Sequence, residues 1–276
     1  MTQTYAQLRR DVAASLAAFL DPPEAKAEAL RWLEEGFGLD RAWLLGHGEE
    51  AVPEARRAQV EAWLQRRREG EPWAYILGWT RFRGRRFRVD RNTLIPRPET
   101  ELVLEAALDV GRRLGVSRCV DVGTGSGILA VNLALETPWT VAATDLSPGA
   151  LAVAMGNARD LGARVRFHQG HLLDPVPDPL GLVVSNPPYV DPAEAASLQR
   201  ELAFEPSMAL YAEEGGLALA TELLREAWRR GAPAAVLEIG AGQGSILVQR
   251  ALQAGWSRAA AHQDHAGHDR ILMALR

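Results

Sequence analysis

Two short stretches of the 276-residue chain carry residue types that could do chemistry together. The first is Asp121-Val122-Gly123-Thr124-Gly125-Ser126-Gly127, three glycines spaced G-x-G-x-G between apolar runs. Lacking side chains, these glycines let the backbone approach a ligand, and a helix opening there offers it unpaired N–H groups. Asp145 closes the next apolar run, TVAATD, 22 residues beyond Gly123. A carboxylate at that place can accept hydrogen bonds from both hydroxyls of a ribose. The second stretch is Asn186-Pro187-Pro188-Tyr189, 63 residues after Gly123. Two successive prolines remove two N–H donors and leave carbonyl acceptors, the Asn186 side chain adds an acceptor, and Tyr189 adds a flat aromatic face. Together they make a receptor for a planar NH2 group. Such a nitrogen is a poor nucleophile because its lone pair is delocalised; accepting its two hydrogens at the Asn186 side-chain oxygen and the Pro187 carbonyl orients it and supports charge developing on it.

The glycine spacing narrows the cofactor. The dinucleotide fingerprint is G-x-G-x-x-G, and the position of its third glycine holds Ile128 here. The observed spacing looks like that of an S-adenosylmethionine (SAM) site, in which Asp121 can help hold the methionine ammonium group. Gly240-Ala241-Gly242-Gln243-Gly244 repeats the pattern, with Glu238 in the place of Asp121. Too little chain follows it to complete a nucleotide pocket, so it reads as a structural turn.

These motifs need elements to position them. Residues 1–79 show helical periodicity, with Tyr5, Leu8, Val12, Leu16 and Phe19 on one face and breaks at Pro22-Pro23, Gly36 and Gly46 to Pro53, which predicts a small N-terminal helical bundle. Residues 80–97 alternate Phe82, Phe87 and Val89 with arginines around Gly84, predicting a β-hairpin and an extended Ile-Pro-Arg-Pro linker. From 98 to 276 strands alternate with helices: a helix at 99–115, then strands at 118–122, 139–144, 164–168, 180–185 and 234–239, with helices at 126–136, 148–161, 215–230 and 244–254. The fold class is therefore α/β, a Rossmann-like parallel sheet. Two last strands, near 257–263 and 269–275, have so short a link that they predict a C-terminal antiparallel hairpin. Because Leu182 to Ser185 is a strand, its tetrapeptide should face the same crevice as the glycine turn, outside the carboxyl ends of the strands.

Composition bounds the rest. The chain is 47% hydrophobic and 24% charged with a net charge of -4, values of a globular protein that speak against a strongly basic, nucleic-acid-gripping surface. No apolar run approaches the roughly 18 residues of a membrane span, and the N-terminus MTQTYAQLRRD lacks a signal-peptide pattern. One cysteine, Cys119, excludes an internal disulfide. These features predict a cytoplasmic protein without a membrane partner.

At this point the sequence resembles the release-factor glutamine methyltransferases of the HemK/PrmC type. The resemblance runs over nearly the whole chain: Glu71-Pro72 with Ala74 to Gly78, Leu94-Ile95-Pro96-Arg97-Pro98-Glu99-Thr100-Glu101, Asp121 to Gly127, Ser185 to Tyr189, Phe204-Glu205-Pro206, Glu238-Ile239-Gly240 and Asp264 to Arg270. It implies methyl transfer from SAM to the side-chain nitrogen of the glutamine in the Gly-Gly-Gln motif of peptide chain release factors. It implies that Gly123, Thr124, Gly125, Ser126, Gly127 and Asp145 bind SAM, that Asn186 contacts cofactor and substrate, and that Asn186, Pro187, Pro188 and Tyr189 hold the glutamine amide, with Asn186, Pro187 and Tyr189 catalytic. The helical domain would help dock the release factor. Where many relatives carry an acidic residue and an aromatic beside the adenine, this chain has Gly170-His171-Leu172-Leu173, which leaves Leu172 to pack on the ring; His171 cannot copy a carboxylate.

Other residues have plainer structural roles open to them. His262, His265 and His268 read as a solvated loop, and no metal site is expected. Seven arginines between Arg81 and Arg97 face one acid, Asp90, as either a solvated hairpin face or a contact for phosphates or acidic patches. Trp32, Trp43, Trp63 and Trp73 read as core, and Glu99, Thr100 and Glu101 as the opening of a helix, for which the resemblance also allows a role beside the active site without assigning one. The alternative chemistry is methylation of an exocyclic base amine in DNA or RNA, which requires base flipping; no stable nucleic-acid binding is expected. A third reading is a non-catalytic SAM-binding factor.

Overall fold

Apolar spacing at three and four residues gives the N-terminal segment its helices, and the computed structural model, which describes residues 3–197 and 199–276, contains five of them there. They are α1 (Tyr5–Leu16), α2 (Pro22–Phe37), α3 (Arg41–His47), α4 (Glu54–Arg68) and α5 (Trp73–Leu77). Thr4 opens α1 with a capping box to Gln7. Their buried faces meet around Trp32, which stacks on Trp73 at 4.7 Å between ring centroids and meets Trp63 edge-on at 6.0 Å. Trp43 is half-buried against Tyr5. These helices form one compact unit, Met1–Leu77; the second is Gly78–Arg276.

The second unit opens with β1 (Trp79–Phe82) and β2 (Arg85–Arg88), an antiparallel hairpin turned at Arg83 and Gly84. After α6 (Thr100–Leu114) the chain alternates β3 (Arg118–Val122), α7 (Ile128–Glu136), β4 (Thr140–Asp145), α8 (Pro148–Leu161), β5 (Val165–Gln169) and β6 (Leu182–Ser185). Short 3-10 turns follow at Pro192–Ser197, Arg200–Phe204 and Ser207–Ala209, then a one-turn α9 (Glu213–Gly216), α10 (Ala218–Arg229), β7 (Ala234–Glu238), α11 (Gly244–Ala254), β8 (Arg258–Gln263) and β9 (Asp269–Leu275). The seven strands of the main sheet lie in the order β5-β4-β3-β6-β7-β9-β8. β3 to β7 are parallel, and β9 runs antiparallel to both β7 and β8. The predicted α/β class and C-terminal antiparallel hairpin are both present.

Strand side chains alternate between two cores. Cys119, Val141, Leu182, Val184 and Val236 pack with Leu104, Leu129 and Leu133 of α6 and α7, whereas Val120, Val122, Val183 and Leu237 pack with Leu223, Leu224 and Leu247 of α10 and α11. Burial on both faces explains why the strands read as continuous apolar runs. The helix expected at 215–230 starts only at Ala218, because Gly215 and Gly216 are left-handed.

The arginine run is not a bare solvated face. Arg83 pairs with Glu105 and Glu136, Arg85 with Glu136, Arg88 with Asp160 and Arg97 with Glu205, while Arg81 and Arg86 lie over Trp79. Phe82 and Phe87 are buried in the α6–α7 core. One buried amide fixes the hairpin to the sheet's helices: Asn157 Oδ1 accepts from Arg88 N at 2.8 Å, and its Nδ2 donates to Arg88 O at 3.0 Å and Ser126 O at 2.8 Å. Asn157→Ala strands these backbone groups and should cost about 2–4 kcal/mol in urea unfolding of the full chain; an unchanged midpoint would remove Asn157 from this role.

Candidate active site

β3 and β6 are neighbours, with Val122 opposite Ser185, and the Ser185 hydroxyl donates to Val122 O at 2.6 Å. The glycine turn and the Asn186–Tyr189 tetrapeptide therefore leave the sheet side by side. Thr124 N donates to Thr144 O at 2.9 Å, which brings the end of β4 to the same place. Between them lies a cavity of about 340 Å³, lined by Asp121, Gly123 to Ser126, Asp145, Leu172, Asn186, Pro187 and Pro188 among others.

Asp121 is buried at the end of β3. Its Oδ2 accepts from Thr124 Oγ1 at 2.6 Å and from Ala130 N at 3.1 Å, whereas Oδ1 has no hydrogen-bond partner among the described residues. A buried acceptor without a donor is costly unless a ligand supplies one. Burial pushes this carboxyl up to about 7, and the charge of Asp145 adds to the effect. The glycines explain themselves by backbone: Gly123, Gly125 and Gly127 all have positive φ, and a Cβ on Gly127 would sit 3.1 Å from that of Ala154. Asp145 Oδ2 accepts from Gly125 N and Oδ1 from Ser147 N, each at 2.9 Å. Asp145 thus braces the turn while its oxygens keep further lone pairs for a diol. Leu172 lines the cavity with a positive φ, its carbonyl held by Thr144 Oγ1 at 2.8 Å; His171 lies beside it, 3.8 Å from Glu222.

Asn186, Pro187 and Pro188 line this cavity and Tyr189 does not. Tyr189 instead lines a second cavity of about 290 Å³ with Arg97, Leu202 and Leu210, and Asn186 and Pro187 border both. Behind the tetrapeptide lie residues that the sequence placed near the site or in a structural turn without giving their partners. Thr100 Oγ1 accepts from Asn186 Nδ2 at 3.3 Å and donates to Glu238 Oε2 at 2.7 Å, and Tyr189 Oη donates to Glu238 Oε1 at 3.3 Å. Gln243 Nε2 donates to Tyr189 O at 2.9 Å and to Gly215 O at 3.2 Å, and its Oε1 accepts from Gly240 N at 2.8 Å. The second glycine turn thereby packs on the tetrapeptide. Burial pushes the Tyr189 phenol up, helped by the Glu238 charge, and burial pushes Glu238 up to about 7. The one visible signal was the likeness of Glu238-to-Gly244 to Asp121-to-Gly127. Among the described residues, no cluster of His, Cys, Asp and Glu could hold a metal ion.

Comparison with known proteins gives the lineage. The PrmC N-terminal domain family matches residues 7–78 and the methyltransferase small domain family residues 100–222. The release factor glutamine methyltransferase of Bordetella pertussis is 41% identical over 91% of this chain and 95% of its own length, and that of Deinococcus radiodurans 39% identical over 100% and 97%. This chain belongs to the release factor glutamine methyltransferase family. Among solved structures, the N-terminal domain of human METTL16 in complex with SAH superposes with a TM-score of 0.54 at 14% identity, covering 96% of this chain and 94% of that one. At such identity the likeness shows the methyltransferase fold alone.

A family member's buried Asp121 should leave a mark on stability. In the unfolded chain it ionises in the ordinary carboxylate range, so between that range and about 7 the folded state holds one more proton and stability falls as pH rises. Asp121→Asn removes this ionisation. The wild type's unfolding free energy minus the variant's should therefore decline from pH of about 4 to about 7 and then level off; a pH-independent difference would show that the carboxyl titrates normally.

Proposed function

We propose that this protein transfers the methyl group of SAM to the side-chain N5 of the glutamine in the Gly-Gly-Gln motif of peptide chain release factors. The observation that carries the reading is the position of Asn186 and Pro187, which border two adjoining cavities at once. A methyl donor in one and a side-chain amide in the other would meet across them. The names of relatives sharing nearly the full length support the substrate.

The residues of the larger cavity fit SAM. The partnerless Asp121 Oδ1 suits an ammonium, Asp145 a ribose diol, and Leu146 and Leu172 an apolar ring. Bound there, SAM supplies an electrophilic methyl group on a sulfonium. The protein's part is to make an unreactive nitrogen attack. The Pro187 carbonyl accepts, Pro188 brings no N–H donor beside it, and the Asn186 side-chain oxygen accepts next to it. Two acceptors on one NH2 fix its plane, aim its lone pair and stabilise the positive charge that grows on it. Tyr189 walls the amide's cavity, and the two prolines restrict the backbone of the tetrapeptide. The helical unit would contribute to docking the release factor, and the work would be cytoplasmic. Among the described residues no helix is long and apolar enough to cross a membrane.

Incubation of a purified release factor with the protein and SAM should add a single methyl to the glutamine of its Gly-Gly-Gln peptide, read by mass spectrometry. No added methyl, with SAM bound in the same sample, would move the search to nucleic-acid amines. Asn186→Ala should keep SAM affinity within a few-fold yet slow transfer by roughly 10²–10³-fold or more; wild-type turnover would refute its role. Asp145→Ala should weaken SAM binding about 10- to 100-fold by calorimetry, and an unchanged dissociation constant would mean that another residue holds the ribose.

A further inference from the structure

An asparagine amide has two nearly isosteric orientations, one presenting oxygen and the other NH2. Only the first can receive an N–H of a substrate amide. We infer that Thr100 and Glu238 form a positioning relay that sets this orientation, holding the NH2 of Asn186 to the rear so that its oxygen faces the substrate. The inference rests on the reading of Asn186 as an amide acceptor given above.

The argument is one of proton counting. Glu238, buried at the end of β7, as a carboxylate has no proton to give and accepts from Thr100 Oγ1 at 2.7 Å and from Tyr189 Oη at 3.3 Å. Thr100 is itself buried and owns a single hydroxyl proton. With that proton committed to Glu238, its oxygen has only lone pairs left for Asn186. Asn186 must therefore meet it with Nδ2, as it does at 3.3 Å. Turning the amide over would set oxygen against oxygen with no proton between them, an unpaired contact in a buried site. A protonated Glu238 would lift the constraint: it could donate to Thr100, freeing the hydroxyl proton for a reversed Asn186. The groups acting on Glu238 are Thr100 and Glu99 at the start of α6, Tyr189 after β6 and Arg270 of β9; burial dominates, placing its titration at about 7. Arg270 is in turn shared with Asp264 at 3.0 Å. The orienting form is the ionised one, so turnover should fall as pH drops through about 7.

Two substitutions at Thr100 separate positioning from packing. Thr100→Val keeps the shape and loses the hydroxyl: kcat should fall about 10- to 100-fold, SAM affinity by calorimetry should stay unchanged, and the limb of the kcat profile near pH 7 should vanish. Thr100→Ser should restore both the turnover, to within a few-fold, and the limb. A valine variant with wild-type kcat and limb, or a serine variant as impaired as the valine one, would overturn the relay. A readout independent of substrate keeps the two proposals apart. The side-chain amide pair of Asn186, assigned in NMR spectra by its absence from Asn186→Ala, should titrate near pH 7 in the wild type and cease to do so in Thr100→Val. If it does so while no release factor is methylated, the relay stands and the substrate reading fails. An amide pair blind to pH in the wild type, or still titrating in the valine variant, overturns the relay even where methylation is normal.

Discussion

The parallel pairing of β3 with β6 is the constraint on which the site depends. At this point the sheet order changes direction, with β4 and β5 added to one side of β3 and β6 and β7 to the other. The helices that connect successive strands therefore leave for opposite directions, and a crevice opens at the carboxyl ends. Register then does the rest. With Val122 opposite Ser185 and their backbone and side chain joined at 2.6 Å, Gly123 and Asn186 begin their excursions from adjacent points. A slip of one residue would reverse the faces to which both strands deliver their side chains.

Two buried carboxylates show how one sequence pattern serves two ends. Asp121 and Glu238 each end a strand, each precede a G-x-G-x-G turn, each accept from a threonine hydroxyl, and each titrate at about 7 because burial disfavours their charge. They differ in what remains. Asp121 spends one oxygen on Thr124 and Ala130 and leaves the other without a partner. Glu238 spends both oxygens, on Thr100 and Tyr189. The first keeps an oxygen open toward the cavity, which the proposed function gives to a cation, whereas the second holds protein. The low effective dielectric that raises both also makes their hydrogen bonds worth more, so each is a strong anchor while ionised.

The sequence showed the strands, the crossover helices, the glycine turn and Asn186 to Tyr189, because those features are local: runs of apolar residues, glycines at a strand end, prolines that forbid a ladder. Thr100 and Glu238 both lie within recognisable motifs, yet their contact joins residues 138 apart, and no local rule gives the partner of a buried carboxylate. The arginine run misled for the same reason. Its density of charge suggested a solvated or phosphate-facing surface, whereas Glu105, Glu136, Asp160 and Glu205, scattered along the chain, meet four of its members.

The prolines of the tetrapeptide explain why so much of the C-terminal half surrounds it. Pro187 and Pro188 cannot donate, so a sheet ladder cannot hold this segment, and under the proposed function its carbonyls are the groups it would offer a substrate. Its conformation has to be imposed from its ends and its side chains. Gln243 takes the Tyr189 carbonyl, Glu238 the Tyr189 hydroxyl and Thr100 the Asn186 amide, while Val190 is bridged through Leu210 O and Ala212 N at 3.0 Å each. Gly216 must be glycine for this to work, because a Cβ there would fall 1.9 Å from Tyr189 O. From the far side Glu205 accepts from Ile95 N at 3.0 Å and Arg97 Nη2 at 2.5 Å, tying the linker to the 3-10 turns that border the second cavity. A segment that cannot join a ladder is fixed through its side chains and its end: β7 and the start of α6 accept from Tyr189 and Asn186, the second glycine turn donates to the Tyr189 carbonyl, and the linker is tied to the neighbouring 3-10 turns.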